Sequence, residues 1–173
     1  MKKSVLLFVL SFVLMASCES GKYVLTENGR FAIQQIEGYY RPDTISNVFE
    51  LYVEFEKLYL THKWNIVPTA NAFSKDPGIC LNSINTASVE VFLDRPLVKD
   101  GVTIPVGENI IKDILPNKTN RGYGYDESVL RIVFDGETLS NMQFEKGFTN
   151  FTLTGKNSDN VRFTFAKKVF MDL

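Results

Sequence analysis

An antiparallel all-β domain is the fold class this chain predicts. Three observations carry it: apolar residues recur at every second position in short runs, turn-forming residues punctuate those runs, and helix signals are scarce. The chain has 173 residues, of which 45% are hydrophobic, 23% charged and 13% aromatic. That balance supports a globular domain with a sizeable core and excludes a disordered or collagen-like chain.

The strictest alternation lies in residues 47–56. Phe49, Leu51, Val53 and Phe55 face one way, and Glu50, Glu54 and Glu56 face the other, with Tyr52 as the amphipathic exception. This is a strand with one face in a core and one in water, and the three glutamates read as a solubilising sheet surface. In residues 58–66, Leu58, Leu60, His62, Trp64 and Ile66 share a face. Val89, Val91 and Leu93 form a further run, and Val102, Ile104 and Val106 another. Lys99-Asp100-Gly101 between them supplies an Asp-Gly hairpin signal. Residues 129–134 are apolar apart from Arg131 and end on Asp135-Gly136, a second hairpin signal. The closing pair, 148–154 and 161–169, is joined by Gly155-Lys156-Asn157-Ser158-Asp159-Asn160, a loop rich in turn formers. Phe163 and Phe165 share one side of the last strand, and Arg162 and Thr164 the other. One short helix is expected, capped by Asn109 and running to Leu115, with Pro116 as its stop.

About eight to ten short strands of this kind build either a closed barrel, which has no edges and keeps an interior cavity, or a two-sheet sandwich filled by side chains. The segment Ile36-Glu37-Gly38-Tyr39-Tyr40 resembles the Gly-x-aromatic opening of lipocalin-like chains. That resemblance implies the antiparallel β-barrel, with the two-sheet β-sandwich as the alternative.

The N-terminus carries an address. Lys2 and Lys3 precede an apolar run over residues 5–15 that is broken only by Ser11. The run is shorter than the about 20 residues needed to cross a bilayer core, so it reads as a secretory signal. Ala16 and Ser17 then stand directly before Cys18. This arrangement resembles the lipobox of bacterial lipoproteins, with Met15 where that family prefers Leu. The start Cys-Glu-Ser is similar to lipoproteins of the Bacteroidetes. The resemblance implies cleavage after Ser17, acylation of Cys18, and a lipid anchor on the outer membrane of a bacterial cell envelope, facing the periplasm or the cell surface. The chain then divides into a signal peptide, 1–17, a lipidated Cys and tether, 18–29, and a single all-β domain, 30–173.

Little chemistry is legible beyond that. Lys and Arg number 19 against 20 Asp and Glu, a net charge of -1. The chain therefore lacks the basic excess that grips nucleic acid. His62 is the only imidazole and sits on an apolar strand face, so a catalytic triad or a Cys-His pair is not expected. No metal-ligand spacing, phosphate loop or dinucleotide fingerprint appears, and neither a metal nor a cofactor is expected. Cys80, between Ile79 and Leu81, reads as a small buried hydrophobe. The polar, glycine-broken segment 117–127 brings Tyr123 and Tyr125 beside Arg121 and Asp126. Tyrosines with guanidinium and carboxylate neighbours can stack on a sugar ring while hydrogen-bonding its hydroxyls. The expected function is non-enzymatic binding of a small molecule or glycan by these four residues. The alternative is a structural or interaction subunit of an outer-membrane or cell-surface assembly.

Overall fold

The computed structural model describes residues 22–36, 43–60, 79–112, 117–120 and 125–173. The described residues are dominated by twelve strands: β1 (Lys22–Gln35), β2 (Thr44–Ile45), β3 (Phe49–Leu60), β4 (Ile79–Cys80), β5 (Ile84–Leu93), β6 (Leu97–Lys99), β7 (Val102–Ile104), β8 (Asn117–Asn120), β9 (Tyr125–Phe134), β10 (Met142–Phe144), β11 (Gly147–Asn157) and β12 (Arg162–Met171). One short helix, α1 (Gly136–Ser140), follows β9. The all-β class is thus observed. The strands form three sheets, ordered β4-β1-β3-β9-β8, β10-β6-β7 and β2-β12-β11-β5, and the last of these curls into a half-barrel without closing. Most pairs are antiparallel, but β1–β4 and β2–β12 are parallel over two residues each.

The chain divides into two compact units, Met1–Val24 with Tyr59–Leu81, and Leu25–Leu58 with Asn82–Leu173. Strand β1 begins at Lys22, inside the segment expected to be tether. In the smaller unit, Lys22 and Tyr23 pair with Ile79 and Cys80, and the Tyr23 and Tyr59 rings meet at 5.7 Å.

The core of the larger unit follows from strand parity. Phe49, Leu51 and Val53 pair across β3–β9 with Phe134, Ile132 and Leu130, so all six side chains share a face, and none is exposed to solvent. Phe49 stacks on Phe134 at 4.6 Å and meets Phe144 of β10 and Phe151 of β11 edge-on at 6.1 and 6.0 Å. All three sheets therefore converge on one ring. A second group joins Phe55 to Phe163 and Phe165 of β12, at 4.8 and 5.6 Å. Offset and edge-on pairs of this kind add to simple area burial.

Two turns form as the residues dictate. Asp100 and Gly101 take φ of 52° and 75° between Lys99 and Val102, which pair directly. Positive φ at both central residues is the turn whose twist matches a hairpin. The strand joined to β7 is β6, however, not the Val89–Leu93 run. At the other end, β11 continues through Asn157. Its side-chain carbonyl accepts from the amides of Asp159 and Val161, while Asn160 takes a φ of 62°. Gly155 lies within β11, facing Phe163. A Cβ there would stand 2.5 Å from Cζ of the Phe163 ring, so glycine lets that ring approach the strand closely.

Two sequence expectations are corrected. Asp135-Gly136 does not make a hairpin. The Asp135 carboxylate accepts from the Thr138 amide at 2.8 Å and caps α1, because aspartate is as good an N-cap as a turn residue. Asn109 caps a turn bound to a strand edge. Its carbonyl accepts from the amides of Ile111 and Val91, and Ile110 donates to the Val91 carbonyl. The segment thereby covers part of the open edge of β5, with Ile110 and Ile111 buried. Residues 113–116, where that helix was expected to end, lie outside the described residues.

Candidate functional site

The expected binding residues lie largely outside the described region. Cys18, Arg121, Tyr123, His62 and Trp64 are not among the described residues. Tyr125 and Asp126 open β9, where Tyr125 pairs with Asn120 of the antiparallel β8. Cys80 is half-buried in β4, and its neighbours Ile79 and Leu81 are each 51% exposed, unlike the apolar surroundings expected for it.

The most unusual chemistry among the described residues was not expected from sequence. Glu50 points away from the Phe49 core, on the face read as wet, yet it is 2% exposed. The Arg131 guanidinium donates to Glu50 Oε2 through both Nε and Nη2, and the Gln34 side-chain amide donates to Oε1. Arg131 pairs with Tyr52, so it sits diagonally from Glu50 across β3–β9. Val129, on the same face, is wholly buried. Glu54 and Glu56 remain exposed, as alternation requires. A carboxylate can be buried only when paired and hydrogen-bonded. With both oxygens engaged, Glu50 is arranged as a structural anion that ties β1, β3 and β9 together. Strand parity alone could not reveal it, because parity does not say which outer faces are covered.

A second buried polar group has a similar role. Asn82, 5% exposed, accepts from the Leu25 amide at 2.7 Å and donates to the Leu25 carbonyl and to Asp159 Oδ2. One side chain thus closes the backbone of β1 and links it to the β11–β12 turn.

A shallow open groove of about 280 Å³ crosses the three-stranded sheet. Its lining combines the apolar Pro96, Leu97, Val98 and Phe144 with the polar Thr103, Gln143 and Glu145. Val98 pairs with both Thr103 and Gln143, so these three project from one face. Arg95 holds Glu145 at 2.9 Å. The groove brings amide, hydroxyl and carboxylate groups beside apolar side chains.

Among the described residues no three His, Cys, Asp or Glu side chains gather as metal ligands, and no helix is long and apolar enough to cross a membrane. Neither a family model nor a curated protein matches the chain, so its function has to be argued from the residues themselves.

Proposed function

We propose that the chain is a lipid-anchored, non-enzymatic binding protein of the bacterial cell envelope, held to the outer membrane by acylated Cys18, and that it takes a small molecule or glycan on its surface. The observation that supports surface binding is the ring cluster around Phe49. It fills the space in which a closed lipocalin-like barrel would keep its cavity. The same contacts, made between facing sheets, favour the sandwich over the barrel. Two candidates for the ligand are tested: the residues expected from the sequence, Arg121, Tyr123, Tyr125 and Asp126, and the groove lined by Thr103, Gln143 and Glu145.

The test is a ligand-observed magnetic-resonance screen of glycans and small metabolites, followed by titration of Tyr123→Ala and Gln143→Ala. Loss of about 1 kcal/mol, roughly fivefold in affinity, is expected in the variant whose surface carries the ligand. Full affinity in both variants overturns both surfaces. The anchor has a separate test, the intact mass of the mature protein. An acyl mass on wild type that disappears in Cys18→Ala supports it, and an unmodified wild type makes this an ordinary secreted protein.

A second reading rests on β7, which ends its sheet with Val102 67% exposed. Such an edge suits an added strand from a partner in an envelope assembly. Co-purification of a stoichiometric protein, lost in Val102→Lys, would favour it.

A further inference from the structure

We infer that the strand ends of the smaller unit rest on the lipid surface, with Leu60, Ile79 and Leu81 as the contact side chains. This rests on the acylation of Cys18 proposed above.

The first support is an apolar patch. Ile79 and Leu81 are each 51% exposed, Leu60 is 47% and Tyr59 52%. Ile79 and Leu81 flank Cys80 beside β1, and Tyr59, next in the chain to Leu60, reaches β1 through the Tyr23 ring. Lys22 and Tyr23 pair with Ile79 and Cys80, the Leu81 amide donates to the Tyr23 carbonyl at 2.9 Å, and the Tyr59 ring leans on that of Tyr23. Single exposed apolar residues are ordinary, but adjacent ones mark an interaction surface.

The second support is the length of chain between the patch and the lipid. Only Glu19, Ser20 and Gly21 separate Cys18 from Lys22. Four Cα steps span at most about 14 Å when fully extended. The headgroup layer is itself about 5–7 Å deep. Acyl chains seated in the bilayer therefore hold the Lys22–Ile79 pair within one short leash of the headgroups, whatever direction the tether takes. The patch chemistry fits that neighbour. Leucine and isoleucine enter the acyl boundary, a tyrosine ring sits at headgroup level, and the Lys22 ammonium faces lipid phosphates. The anchor thereby fixes which strand ends of the smaller unit meet the membrane as well as tethering the protein.

The experiment uses the full chain, expressed and acylated, with Trp64→Phe to remove its one tryptophan. Leu60→Trp or Leu81→Trp is then added as a reporter at an exposed position. Each protein is reconstituted into phosphatidylcholine–phosphatidylglycerol vesicles, with and without bromine on the upper acyl chain. Quenching by the brominated lipid, with a shift of emission to shorter wavelength, is expected, and its appearance at either position supports the contact. An acylated protein whose reporters are unquenched at both positions overturns the contact and leaves the anchor standing. A mature chain without acyl mass overturns the anchor, and the leash argument with it.

Discussion

Two buried polar side chains carry more of this fold than their exposed counterparts. Removing the guanidinium in Arg131→Ala strands the Glu50 carboxylate, and the loss should approach the about 3–5 kcal/mol of a broken buried pair. Glu50→Ala should cost less, because Arg131 keeps 33% of its side chain in water and can rehydrate. Urea unfolding of the two variants checks the order, and equal losses would contradict it. Asn82→Ala leaves the Leu25 amide and carbonyl without their partner, at about 1–3 kcal/mol for each buried orphan. At the exposed end of the scale, Asp135 has its carboxyl held below the usual carboxylate range by the backbone and side-chain hydrogen bonds from Thr138. A depressed value means that the charged form is favoured in the folded state. Its contribution is therefore present above the ordinary aspartate range and is lost as pH falls through the lowered folded value. The Thr138 amide resonance should follow that titration in acid, and the acid response should vanish in Asp135→Ala.

At the scale of elements, the legible parts are those where local chemistry admits one outcome. The alternation from Phe49 to Phe55 became the inner face of β3, and Asp100-Gly101 became a two-residue turn. Gly101→Ala should cost about 1–2 kcal/mol, since a side chain at positive φ crowds its own carbonyl. Gly101→Asn should cost much less. Where one residue type serves two structures, the pattern misleads. Asp135 is a turn former and also an N-cap, and here its carboxylate takes the Thr138 amide as a cap. The glutamates of β3 look equivalent in sequence, yet Glu50 alone is buried, because coverage of an outer face is a tertiary fact. Partner choice was equally hidden. The Val102 run folds back on Leu97–Lys99, since two turn residues leave no other strand within reach.

For the whole molecule, the converging rings make Phe49 the position on which three sheets depend. Phe49→Ala should cost about 3–5 kcal/mol, and Phe49→Leu appreciably less. Loss of near-ultraviolet ellipticity along with stability would show that the sheets no longer pack together. The order in which the strands find partners has its own consequence. Strand β2 pairs with β12, and β3 with β9, so segments made early wait for segments made late. Pairing over such separations is slow, on the order of milliseconds to seconds, because loop-closure entropy is spent before contacts form. A chain stopped before residue 162 lacks the strand that sits between β2 and β11, and its circular dichroism should resemble that of an unfolded polypeptide. Availability of β12, and not arrival of the first strands, is then the event that starts this protein folding.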